Sequence, residues 1–302
     1  MNFEFNDDQR ALLDAIDQVV THYRAQPLQP LRFETSRELE GDLEQGGYFE
    51  AFHMEGLGPV AAAAVVQALA RLPFCTELGA SALLAPYLGL PRTTAVVGED
   101  RAAPARFLAQ ATHAVAMDDG GVHVAQLSEG DAREAESLWA YPMGQLTAPD
   151  ALTWQRIDHG SVSLVECLHL WRVSIAAEVA GCLSAALDSV VQHVSDRRQF
   201  GRPLGSFQGV QHRLANAAVS VEGVRWLALA AAARSVPSSL AMGQAQLVVR
   251  QVAYDLHQFM GAMGLTLEHP LHRWTYRAKR LQSELGACER QFQSAARETW
   301  GA

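Results

Sequence analysis

The sequence predicts a mostly α-helical protein with one small β unit set between two helical parts, and three observations carry that prediction. Val210, Leu214, Ala217, Val221, Val224, Ala228 and Ala231 recur at alternating spacings of four and three, the apolar stripe of a helix in a bundle. Between Thr93 and about Asp150 the texture changes to short apolar runs broken by turn residues, which reads as strands. Glycine and proline then punctuate the N-terminal part, with Gly46-Gly47, Gly56, Gly58-Pro59 and Pro73 separating helical stretches.

The elements follow in order. Asn6 is placed to N-cap a helix running through Leu12, Ala15, Ile16 and Val19. Val60 to Leu72 and Thr76 to Leu90 read as two further helices, closing a helical N-terminal domain over residues 1–92. Thr94 to Val97, Ala114 to Met117 and Val122 to Leu127 read as strands, with Asp118-Asp119-Gly120-Gly121 as a hairpin turn, and give a small β domain over 93–153. Helices over Leu164 to Val194, Gln208 to Ser235, Ser238 to Met263 and, in two pieces, Leu271 to Arg297 make a C-terminal bundle over 154–302.

With 302 residues, 49% of them hydrophobic, the chain can bury a large core. A net charge of −9 argues against a nucleic-acid surface, which needs a basic footprint. Local clusters at Arg197, Arg198 and Arg202, and at Arg273, Arg277, Lys279 and Arg280, remain open to anionic ligands or to a solvated helix face. Cys75, Cys167, Cys182 and Cys288 show no metal spacing and read as small hydrophobes. Neither a signal peptide nor an apolar run of membrane length is expected, so the expected compartment is the cytoplasm.

The most informative stretch is Arg197-Arg198-Gln199-Phe200-Gly201-Arg202-Pro203-Leu204, followed by Phe207-Gln208 at the start of a long helix. A guanidinium can fork onto a pyrophosphate, an aromatic ring can pack on a flat ring system, and an amide can both donate to and accept from a nucleobase. About fifty residues on stand Gln258-Phe259-Met260-Gly261-Ala262-Met263-Gly264, then Glu268-His269-Pro270 and Arg273, where glycines permit close backbone approach. These segments, in this order and after the opening Phe5-Asn6-Asp7-Asp8-Gln9-Arg10-Ala11-Leu12, resemble the acyl-CoA dehydrogenase family. The resemblance is strong after residue 154 and weak between 92 and 150.

The resemblance implies FAD as cofactor and the fold of that family, with a reduced β domain in which Gly98-Glu99-Asp100 is the nearest remnant of a flavin segment. It implies that Arg197, Phe200, Leu204 and Gln208 contact FAD, and that Gln258, Gly261 and Ala262 reach the FAD of a neighbouring subunit. Ala262 stands where the family has a second glycine. The family removes a proton next to a thioester with a glutamate at one of two places, and those places here hold Leu285 and Trp171. A shift of one residue in the alignment makes Glu284 the base instead. Glu166 and Glu178 read as surface or capping charges.

A flavin motif without a base, on a shortened β domain, resembles the heteromeric acyl-CoA dehydrogenases of bacterial steroid degradation. That implies a second related subunit carrying the catalytic glutamate in an α2β2 assembly, a bulky acyl-CoA substrate, and electron-transfer flavoprotein as acceptor. A homomeric enzyme using Glu284, a flavin monooxygenase of the same fold and a non-catalytic scaffold subunit are the alternatives. His257, His269 and His272 offer no third metal ligand, and no dinucleotide-binding glycine fingerprint follows a strand.

Overall fold

The computed structural model describes residues 4–157 and 162–301. The N-terminal part opens with α1 (Asp7–Arg24), capped as expected: the Asn6 side chain accepts from the Gln9 amide while the Gln9 side chain accepts from the Asn6 amide. The Asn6 side-chain amide also donates to the Gly56 carbonyl, tying the cap to the glycine loop. Helix α2 (Arg37–Gln45) is an addition to the expected set, since it turns only Leu39 and Leu43 into the core and otherwise carries polar residues. Helix α3 (Gly58–Leu69) is an Ala/Val helix buried nearly all round, so it runs through the interior.

The helix expected over Thr76 to Leu90 is much shorter. It is one wide turn over Ala80–Leu84, in which Ala85 donates to Ala80 five residues back, followed by α4 (Ala85–Leu88). Pro86 has no N–H to return to the preceding turn, and Gly89 ends the helix in the left-handed region at φ 67°.

The β part holds two sheets. Strands β1 (Thr94–Val97), β3 (His113–Asp118), β4 (Gly121–Gln126) and β7 (Gln155–Arg156) form one in the order β1-β3-β4-β7. β1 and β3 are parallel, and the expected hairpin joins β3 to β4, with Asp118 paired to Gly121. Strands β2 (Ala105–Arg106), β6 (Met143–Leu146) and β5 (Ala132–Glu134) form a second, antiparallel sheet. The sequence reading omits β2, β5, β6 and β7, which are two to four residues long and too short for a period to show.

The C-terminal bundle consists of α5 (Leu164–Asp196), α6 (Gln208–Ala232), α7 (Ser238–Met260), α8 (Leu271–Leu281) and α9 (Ala287–Trp300), with the ribbon β8 (Arg198–Gln199) and β9 (Arg202–Pro203) between α5 and α6. The stripe on α6 faces inward: Leu214, Ala217, Val221, Val224, Ala228 and Ala231 are all buried. Helix α5 amends the expectation about membrane-length runs, being 33 residues long and holding an 18-residue window of mean hydropathy 1.5, but 83% of that window is buried inside the protein. It crosses α3 at close range, where a Cβ on Gly181 would meet the Gln67 carbonyl at 2.2 Å.

The second basic cluster is also corrected. Arg273 and Arg277 are fully buried on α8 and spend their donors on carbonyls of the 72–74 segment, on Gln29 and on Glu34, so they stitch the bundle to the N-terminal part. His272 is buried too, its ring within hydrogen-bond distance of the Leu31 carbonyl. Cys75, Cys167 and Cys182 are buried as expected, and burial pushes Cys75 and Cys167 up to about 12. Among the described residues, no group of His, Cys, Asp or Glu is arranged to hold a metal ion.

Candidate active site and flavin segments

The two places where the sequence seeks a base are 114 residues apart and meet at one cavity of about 700 Å³. Trp171 from α5, Arg280 from α8 and the Glu284-Leu285-Gly286 turn line it, with Val96, Gly98 and Glu99 after β1 and Met143 of β6 facing them. Arg172 donates to the Gln291 side chain at 2.9 Å, and Gln291 donates to the Leu285 carbonyl at 2.6 Å, which joins the two segments directly. Gln246, also fully buried, donates to the Leu281 and Glu284 carbonyls.

These amides hold a backbone that local preference disfavours. Leu285, Gly286 and Ala287 are at φ 49°, 86° and 63°, and for Leu and Ala the left-handed region is costly. The turn persists because buried hydrogen bonds pin it on both sides.

Glu284, the candidate base, lies on the cavity wall with its carboxylate 2.9 Å from Arg280 and 3.8 Å from Arg106. Behind it is a charged cluster that the sequence reading does not mark. Glu178 is 1% exposed, which overturns its reading as a surface or capping charge. It accepts from Arg106 at 3.0 Å and from the Tyr141 hydroxyl at 2.6 Å. Burial opposes the charge on Arg106, but Glu178, Tyr141 and Glu284 around it over-compensate and the guanidinium stays protonated. Burial, then the Glu178 charge, pushes the Tyr141 hydroxyl well above its ordinary value, so it remains a donor. The available signal was a lone charge inside each of two apolar runs, Ala105-Arg106-Phe107-Leu108 and Ile175 to Ala180. Glu166 stays near the surface, paired with Arg234.

The flavin candidates lie elsewhere. Phe200 and Gly201 form the two-residue turn between β8 and β9 with φ 54° and 80°, a pair of left-handed residues that suits the twist of the ribbon. Phe200 is 87% exposed, edge-on to Phe207 at 6.1 Å, and Arg202 lies 3.9 Å over the Phe207 ring. Leu204 donates its amide to the Arg197 carbonyl and is half-buried. Arg213, just inside α6, donates to Asp255 near the end of α7 and lies 4.8 Å over Phe259, so Gln208 and Gln258 belong to the same end of the α6/α7 pair. Arg197 lines an open cavity of about 710 Å³ at the end of α5 with Arg24, His193 and His269.

The side chains of Arg197, Gln208 and Gln258 are exposed and have no hydrogen bond or ion pair among the described residues. Gly201 and Gly261 have open space on the side a Cβ would fill, and Gly261 at φ 65° and ψ −144° takes a backbone form that suits glycine alone. Ala262 is exposed beside it. Donors, flat rings and approachable backbone fit a nucleotide lying across this end. The distance to the other cavity is large: Trp171 and Arg197 are 26 residues apart along α5, about 39 Å at 1.5 Å per residue.

Residues 158–299 match the family "Acyl-CoA dehydrogenase, C-terminal domain". The chain is 26% identical over 169 residues to the mitochondrial short/branched chain specific acyl-CoA dehydrogenase of Bos taurus, covering 54% of this chain and 39% of that protein. It is 30% identical over 164 residues to the 3-sulfinopropanoyl-CoA desulfinase of Paraburkholderia xenovorans, covering 52% and 39%. It thus spans about two fifths of the length of these relatives. The fold is similar along almost its whole length to a chain of the ChsE4-ChsE5 complex from Mycobacterium tuberculosis, with TM-score 0.77, 22% identity and 99% and 98% of the two chains covered. It is similar also to butyryl-CoA dehydrogenase from Megasphaera elsdenii, with TM-score 0.74, 18% identity and 98% and 99% covered. Residues 158–299 thus match the C-terminal domain of the acyl-CoA dehydrogenases, and the chain has the acyl-CoA dehydrogenase fold from end to end.

Proposed function

We propose that this chain is one subunit of a FAD-dependent acyl-CoA dehydrogenase that introduces a double bond next to the thioester of a bulky acyl group, assembled with a second related chain that carries the carboxylate base. The observation that carries this reading is the separation of about 39 Å along α5 between the Arg197 end and the Trp171 cavity, longer than an extended flavin dinucleotide. The flavin contacts of this chain and its own cavity then belong to two different active sites, as in an assembly where each site draws on two chains. The ChsE4-ChsE5 structure is by its name a complex of two different proteins, and its fold supports the same arrangement.

The residues have separate tasks in this reading. FAD, when bound, accepts the hydride. Arg197 would hold a phosphate by charge-assisted hydrogen bonds, Phe200 and Leu204 would pack on a ring, and Gln208 would contact adenine. Gln258 with the Gly261 and Ala262 backbone would hold the FAD of a neighbouring subunit. Proton removal next to a thioester needs a free carboxylate in hydrogen-bond reach of the carbon. Trp171 and Leu285 cannot serve, and Glu284 Oε1 is held by the Arg280 guanidinium at 2.9 Å with Arg106 3.8 Å away. The base therefore comes from the partner, and electron-transfer flavoprotein takes the electrons onward.

The test is purification of the chain alone and together with a related acyl-CoA dehydrogenase-like chain, followed by a flavin spectrum and turnover of bulky and straight-chain thioesters. A colourless chain that yields a yellow, active complex only with its partner, and that prefers the bulky ester, supports the reading. A yellow, active preparation of the chain alone overturns it in favour of a homomeric enzyme.

A further inference from the structure

Two buried donors beside the cavity lack an acceptor. Trp171 is 3% exposed and its indole N–H is unpaired, and Arg106, 6% exposed, leaves Nη2 unpaired while Nη1 donates to Glu178. They are neighbours, with the guanidinium 5.5 Å from the indole ring. The six-membered ring of the indole packs at Gly79, where a Cβ would come within 3.2 Å of Trp171 Cζ3, so the N–H edge lies away from that packing. Folded proteins rarely leave such donors unmet, because each retains its full desolvation cost. Trp171 lines the cavity, and the nearby carboxylates are committed: Glu178 to Arg106 and Tyr141, Glu284 to Arg280.

We infer that this cavity binds an acyl ligand through a neutral acceptor oxygen, a carbonyl or hydroxyl, that meets the indole N–H of Trp171, with Arg106 packed against the ring. The inference rests on the reading of the cavity as an acyl pocket and adds what that pocket recognises. Neutrality follows from the charges. Arg106, Arg280 and Arg290 are each paired with a glutamate, Glu178, Glu284 and Glu99, and Glu136 adds a further carboxylate to the lining, so an anionic group would find no surplus cation. The rest of the wall, with Val96, Val97, Met117, Met143 and Leu285, suits an apolar skeleton. At the place where the family puts a proton acceptor, this chain presents donors.

The experiment compares two CoA thioesters of a tetracyclic carboxylic acid, one with a single ring ketone and one without, binding to the complex assembled with the second chain and to the same complex carrying Trp171→Phe, which removes the N–H and keeps a ring. Equal thermal melting of the two proteins establishes that the substitution is local. The expected result is that Trp171→Phe weakens binding about tenfold, the worth of one buried hydrogen bond. The indole N–H resonance missing from the variant is expected to move downfield when ligand is added to the parent. Weakening of the keto ester alone places the oxygen on the ring system, and weakening of both esters places it at the thioester; either supports the inference. Equal binding of both esters by parent and variant, with an unmoved indole resonance, overturns it while leaving the acyl pocket intact. Failure of the parent to bind either ester overturns the acyl-pocket reading, and the inference with it.

Discussion

The two functional ends of this chain handle polar groups in opposite ways. At the Arg197 end, Arg197, Gln208 and Gln258 stand in solvent without partners among the described residues, beside an aromatic ring that is 87% exposed. At the Trp171 end, Arg106, Glu178, Tyr141 and Glu284 are drawn into one cluster, two of whose members are fully buried. Exposed donors cost little to keep free, because water serves them until a ligand arrives, whereas a buried charge is tolerated only when paired. The difference teaches that the first end keeps its polar groups open to a molecule from outside, while the second commits its charges to one another.

The largest expected effect tests the paired end. Glu178→Ala strips Arg106 of its buried counter-charge and leaves Tyr141 without its acceptor, and should cost about 3–5 kcal/mol of stability in urea unfolding. A loss below about 1 kcal/mol, the range of a surface pair, would break the contrast.

Next comes the open end. Arg197→Ala should weaken FAD retention in the assembled complex by about 1.5–3 kcal/mol, the worth of a charge-assisted bond. The melting temperature of the chain should not move, since the side chain has no intramolecular partner among the described residues. Unchanged flavin affinity would remove Arg197 from the cofactor site.

Acid should sharpen the comparison by loosening the α7/α8 region. His257 and His269, whose pKa values burial depresses below the ordinary histidine value, bind protons less readily folded than unfolded. Their contribution is complete above about pH 6.5 and is lost as pH falls below it toward the depressed folded values. Urea unfolding at pH 7.5 and 5.5 should give lower stability at the acid pH, and His257→Gln should reduce that drop. An unchanged drop would place the acid sensitivity elsewhere.

The smallest expected effect is Glu284→Gln, which should leave turnover of the assembled complex largely intact, while replacing the partner's glutamate abolishes it. A loss of about a hundredfold or more on Glu284→Gln, with flavin still bound, would show that this chain supplies its own base despite Arg280 and Arg106.

Much of this was readable in advance, and for local reasons. The Asn6 cap, the 118–121 hairpin and the long bundle helices each rest on chemistry confined to a few consecutive residues or to one helical face. The Phe200-Gly201 turn carries its residue types in the same way. Short strands such as Ala105–Arg106 escaped, because two residues carry no period. The helix expected from Thr76 begins only at Ala80 and is ended by Gly89 in the left-handed region.

By itself, then, the sequence determined the long helices of the C-terminal bundle, the Asn6 cap and the 118–121 hairpin. Only the tertiary structure decided that Trp171 and Leu285 face one cavity, that Arg273 and Arg277 are internal stitching rather than an anion-binding face, and that Glu178 is a buried counter-ion. Helix geometry and caps depend on neighbours a few residues away, which a linear reading contains. Burial and pairing depend on groups that folding brings from far along the chain, such as Arg106 to Glu178 across 72 residues, and no local pattern records them.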